Sequence, residues 1–159
     1  MKQKVLTPVL ITVGVLACLY LLIILFRFLE SPALASLPMY RSKTGYISDG
    51  FQDYTIYREY HYSNSKKMNK GLEKSLFFQK VEEDDVDVIN GYLDNFKAWL
   101  KHTDFENECK FDSECIDTSD YWYLINKWEN DGDDHRYYDY DLYYYDAETM
   151  TMYMIHNNI

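Results

Sequence analysis

Residues 82–101 read EEDDVDVINGYLDNFKAWLK, and this stretch decides the fold class. Val86, Ile89, Leu93, Phe96 and Leu100 recur at spacings of three and four, which predicts one apolar stripe along a helix, widened by Tyr92 and Trp99. Glu82, Glu83, Asp84 and Asp85 crowd its start and Lys97 and Lys101 lie near its end, the arrangement a helix dipole favours. That dipole accounts for the acidic run more simply than a metal site does. An amphipathic helix of this length must lay its stripe on another element, and the flanking sequence offers strands.

Upstream, residues 51–62 alternate Tyr54, Ile56, Arg58, Tyr60 and Tyr62 against Thr55, Tyr57, Glu59 and His61, the period of a half-buried strand. A basic, turn-rich loop at 63–71 and a short extended piece, Leu76-Phe77-Phe78, separate it from the helix. Downstream, 102–119 is irregular and acidic. A meander follows, with strands over 121–128, 137–145 and 151–156. Turns at Asn130-Asp131-Gly132-Asp133-Asp134 and Asp146-Ala147-Glu148-Thr149 join them. Short connections make these three strands antiparallel neighbours. The expected fold is α+β, a helix packed on an antiparallel sheet over residues 46–159. Cystatin-like and NTF2-like domains share that element order by analogy.

The chain begins differently. From Val5 to Phe26 it runs VLTPVLITVGVLACLYLLIILF without a charge. As a helix this spans about 33 Å, enough for the hydrocarbon core of a bilayer. Residues 5–28 are therefore read as a transmembrane helix, 1–4 as a cytoplasmic tail and 29–45, with Pro32, Pro38 and several serines, as a linker. Lys2 and Lys4 before the span favour a signal-anchor with the following domain outside the cytoplasm, although Arg27, Arg41 and Lys43 follow it. Ala33-Leu34-Ala35 before Ser36 has the small residues of a secretory cleavage site, but the apolar run is longer than a signal's. Val15-Leu16-Ala17-Cys18 fits a lipoprotein box poorly, because Leu16 stands where a small residue is needed. A retained anchor is the expectation. The chain has no Asn-x-Ser/Thr triplet, which leans towards a bacterial cell envelope.

The net charge of −10 is unevenly spread. Residues 31–80 hold eight basic side chains against four acidic ones, whereas 81–159 hold five against twenty-one. So negative a surface repels phosphate backbones, which argues against nucleic-acid binding, and suits cations, basic peptides or hydroxyl-rich ligands. Cys109 and Cys115 flank five residues and would close a disulfide loop outside the cytoplasm, the alternative being two thiols. A metal site from this pair with His102 lacks the usual ligand spacing.

The common catalytic and phosphate-binding motifs are absent, no cofactor is implied, and we expect no enzyme. Of the four histidines, His61 and His156 fall on predicted strands, ordinarily surface or edge positions, where they could also meet. Reading Gly132 as the sixth residue of a calcium loop puts Lys127 and Tyr138 where carboxylates belong, so the turn is not an EF-hand. An irregular site from Asp131, Asp133 and Asp134 stays open beside a solvated turn. The strongest candidate surface is the strand at 137–146, where Asp139, Asp141, Tyr143 and Tyr145 share a face expected opposite the helix. Carboxylates and rings together suit a glycan or a basic peptide. A hydrolase using acid pairs would need a cleft that no feature implies.

Tyr140-Asp-Leu-Tyr-Tyr-Tyr-Asp146 and Tyr153-Met-Ile-His-Asn-Asn-Ile159 resemble the tails of small bacterial membrane-anchored proteins of unknown activity. The resemblance covers the last third of the chain and supplies no site residues. The expectation is a single-span protein whose extracytoplasmic domain binds an envelope protein or glycan. The alternative is a small membrane subunit or immunity-type protein acting through its span.

Overall fold

The computed structural model describes residues 3–48, 54–101, 103, 105, 107–127 and 137–158; the side chains of 3–10 and 48 are not described. The chain divides into two compact units, 1–38 and 39–159.

The first unit is helix α1 (Gln3–Glu30) and the short helix α2 (Pro32–Ala35). From Ile11 to Glu30, α1 is long and apolar enough to cross a membrane, and its apolar side chains are exposed. Ser31 starts α2 by accepting a hydrogen bond from the Leu34 amide, with Pro32 at the first helical position. Arg27 folds back on the turn. Its Nη2 donates to the carbonyls of Leu34 (2.5 Å), Leu37 (3.0 Å) and Pro38 (3.1 Å), at and just past the end of α2.

The second unit is α+β. Strands β1 (Ser42–Ser48), β2 (Tyr54–His61), β3 (Gln79–Lys80), β4 (Tyr121–Asn126), β5 (Asp139–Asp146) and β6 (Thr151–Asn158) form one sheet in the order β1-β2-β6-β5-β4-β3, every pair antiparallel. Helix α3 (Ser65–Leu72) follows β2, and α4 (Glu83–Leu100) follows β3. The predicted antiparallel β4-β5-β6 meander and the long helix are both present.

Helix α4 buries Ile89, Tyr92, Leu93, Phe96 and Leu100, with Val86 half-buried against the same core, whereas Trp99, read as widening the stripe, is exposed. Its acidic start does structural work. Asp85 accepts from the Glu82 amide at 2.9 Å and from the Trp122 indole at 3.1 Å, so the run at 82–85 closes a capping box and ties the helix to β4. The stripe meets Tyr57, Trp122, Tyr140, Leu142, Tyr144, Tyr153 and Ile155 from the sheet. Phe111, from the irregular segment before β4, inserts between Tyr144 and Tyr153 with ring centroids 4.7 and 4.9 Å away. Two buried tyrosines place their hydroxyls on partners: Tyr140 donates to the Tyr92 carbonyl at 2.9 Å, and Tyr144 to the Asp120 carboxylate.

Four segments differ from the sequence reading. The linker expected at 29–45 contains α2, and the extended piece expected at 76–78 is a bend, with the short strand β3 following it. Ser42–Ser48 straddles the expected linker boundary at residue 45 and is a sheet strand, paired with β2 along its whole length. The basic loop expected at 63–71 contains α3, capped by Asn64 and burying Met68 and Leu72 four residues apart. One end of the opposite sheet face is covered as well: Tyr60, Tyr143, Tyr145, Met152 and Met154 are all buried there.

Candidate functional site

Strand alternation sends Tyr140, Leu142 and Tyr144 towards α4 and Asp139, Asp141, Tyr143 and Tyr145 to the other face. The four residues read as a ligand surface thus share the face opposite α4. Packing then divides them. Tyr143 and Tyr145 are buried: Phe78 lies edge-on to Tyr143 at 6.3 Å, and Tyr62 lies edge-on to Tyr145 at 6.2 Å. These two rings are core, not a platform open to solvent, because a second layer covers this end of the face. Burial lifts the Tyr145 hydroxyl to about 12.

The carboxylates lie at the other end, and the register brings new partners to them. Asp141 stands opposite His156 on β6, and its Oδ1 is 2.6 Å from His156 Nδ1. Tyr54, at the start of β2, lays its ring over the imidazole with centroids 4.7 Å apart. Lys127 follows β4, and its Nζ meets Asp139 Oδ1 at 2.7 Å. Burial works against the Lys127 ammonium, but Asp139 and Asp141 outweigh it and raise its pKa. His156 is only 6% exposed, and its Nε2 is buried without a hydrogen-bond partner among the described residues.

Among the described residues the site is two carboxylates, one ammonium and one buried imidazole, with Tyr54 as the aromatic wall. The carboxylates can accept hydrogen bonds from hydroxyl or ammonium donors. Sequence reasoning found Asp139 and Asp141 but missed His156, Tyr54 and Lys127, because only the ladder register puts them together. His61 does not join His156. It stands opposite Thr151 at the far end of β2, on the α4 face, with its Nδ1 3.1 Å from Thr151 Oγ1.

A second polar cluster lies on the α4 face. Glu59 is buried, accepts from Tyr57 at 2.9 Å and lies 3.4 Å from His61 Nε2. Cys109, nearby, donates to the Phe111 carbonyl. The disulfide expected of Cys109 and Cys115 is not formed, and both are free thiols. Cys109 is oriented towards Phe111, whereas Cys115 belongs to a separate turn, Ser113–Cys115. Burial pushes the Cys109 thiol up to about 11. The cation site considered at Asp131, Asp133 and Asp134, and the His102 considered with the cysteines, lie outside the described residues.

No family model matches the chain, and neither the curated proteins nor the solved structures provide a significant match.

Proposed function

We propose that the chain is a single-span, membrane-anchored binding protein of the bacterial cell envelope. Its α+β unit lies outside the cytoplasm and takes an ammonium- or hydroxyl-bearing ligand, a basic peptide or glycan, without catalysing a reaction on it. The anchor reading is supported by the exposed apolar surface of α1. The binding reading is carried by one observation: among the described residues, Asp139 and Asp141 share a sheet end with a single ammonium, Lys127, and with the buried imidazole of His156. The absence of tyrosine platforms at 143 and 145 moves the aromatic contribution to Tyr54.

The test is capture of immobilised polylysine and of cell-wall glycan by the full chain in nanodiscs. We expect the double variant Asp139→Asn, Asp141→Asn to lose capture of one of them while staying folded, with a melting temperature only a few degrees lower. Undiminished capture by the folded double variant, or no capture of either by the unaltered chain, contradicts the reading.

The exposed flank of α1 also supports a second role, as a membrane subunit or immunity-type protein acting within the bilayer. Exchanging residues 5–28 for an unrelated span separates the two: binding through the site survives the exchange, whereas action through the span does not.

A further inference from the structure

We propose that α3 and the tip that follows it, Lys74–Phe77, form a second membrane contact, which recognises the anionic headgroups of a bilayer and inserts Leu76 among them. Helix α3 buries Met68 and Leu72, which leaves Lys66, Lys67 and Lys70 exposed, and Lys74 lies just beyond its end. Among the described residues no carboxylate pairs with any of these four ammonium groups. The chain then turns sharply. Ser75 Oγ accepts from the amides of Phe77 (3.1 Å) and Phe78 (3.4 Å). Phe77 and Phe78 set their rings against Tyr123, 5.5 and 5.9 Å away. Leu76 is left projecting at 97% exposure, more than Leu29, the most exposed large apolar residue among the described side chains of α1, at 71%.

A leucine held out by a hydrogen-bonded turn with a ring anchored behind it is a fixed apolar tip. Lysines beside such a tip match the layered chemistry of a bilayer surface, charge at the headgroups and apolar side chains just below. The tip is convex, which suits a deformable lipid interface better than a protein partner that would need a matching pocket. The charge distribution also supports the choice. Residues 63–80 carry five lysines against Glu73, while 81–159 carry twenty-one acidic side chains against five basic ones. An anionic surface attracts the first region and repels the second, so the contact orients the unit as well as holding it.

The experiment is amide hydrogen exchange on the full chain in three settings: nanodiscs with one-third phosphatidylglycerol, nanodiscs of phosphatidylcholine alone, and detergent. Exchange across residues 11–30 reports on the anchor, and exchange across 70–78 reports separately on the tip. In anionic nanodiscs we expect the tip amides to exchange about tenfold more slowly than in neutral ones. That protection should be lost in Leu76→Ser and in the triple variant Lys66→Gln, Lys67→Gln, Lys70→Gln, with α4 protection unchanged as the control for folding. Equal exchange of the tip in all three settings overturns the proposal, as does equal protection by polyglutamate in detergent, which assigns the patch to acidic polypeptides.

Discussion

Asp141 Oδ1 and His156 Nδ1 lie 2.6 Å apart, directly across the β5–β6 ladder, with the imidazole almost wholly buried. The pair joins the two strands by a charge-assisted bond at the end of the sheet that carries the candidate site. Removing one partner leaves the other buried and unpaired. Asp141→Ala should therefore lower stability by about 2–3 kcal/mol, whereas Asp141→Asn, which keeps an acceptor in place, should cost about 1 kcal/mol. Urea unfolding with an unchanged slope measures both. Equal losses in the two variants would mean that the bond does not hold the ring.

Gly45 is required by its surroundings. Its φ is +149°, and a Cβ there would sit 2.2 Å from the Tyr57 carbonyl oxygen and 2.8 Å from the Arg58 Cα. Both obstacles are backbone. Gly45→Ala should cost at least about 2 kcal/mol and release β1 from β2, seen as faster amide exchange across 42–48. Gly91 is the contrast. The atom a Cβ would meet is the Tyr137 hydroxyl, 2.7 Å away at the end of a side chain. Gly91→Ala gains up to about 1 kcal/mol of helix propensity against that displacement and should be close to neutral.

Asp120 is buried and receives the Tyr144 hydroxyl and the amides of Asp117 and Ala147. Burial raises its pKa even so, the three donors opposing it. A carboxyl raised in the folded state contributes stability that is complete below its unfolded value and is lost as pH rises through the folded one. Tyr144→Phe removes a donor that favours the ionised form and lifts the folded value further. The deficit of this variant should thus be smaller near about pH 4 than near about pH 7, where it should reach about 2 kcal/mol. A deficit independent of pH would show that Tyr144 acts by packing alone.

Cys109 has its thiol raised by burial from 9.0 to about 11. Alkylation of the native protein, followed by mass spectrometry of the peptide holding Cys109, should show a rate that climbs with a midpoint near that higher value. The same raised value makes stability fall as pH rises from 9.0 towards about 11, because the unfolded thiol ionises first. A midpoint near 9 would place the thiol in solvent.

The parts of this fold legible in the sequence are those where one periodicity dominates. The stripe from Val86 to Leu100 predicts α4 to within a residue at either end, and the short turns predict the β4-β5-β6 order. β1 escapes because Lys43, Gly45 and the serines at 42 and 48 blur its alternation. α3 escapes because Ser65, Asn69 and Gly71 carry turn character, so Met68 and Leu72 are its only apolar pair. The burial of Tyr143 and Tyr145 has a signal that alternation hides: β6 is apolar on both faces from Met152 to Ile155, as strands covered on both sides are. Of the candidate site, the two aspartates are visible in the strand pattern. His156 and Tyr54 are not, because one residue of slip in either ladder would put them on the other face.

The account rests on α1 spanning a membrane with residues 39–159 beyond it. Protease added to sealed spheroplasts of a bacterium expressing the full chain tests this most directly. The account predicts that the α+β unit is digested from outside while α1 stays with the membrane. Survival of the unit in sealed spheroplasts, with digestion only after lysis, would contradict it.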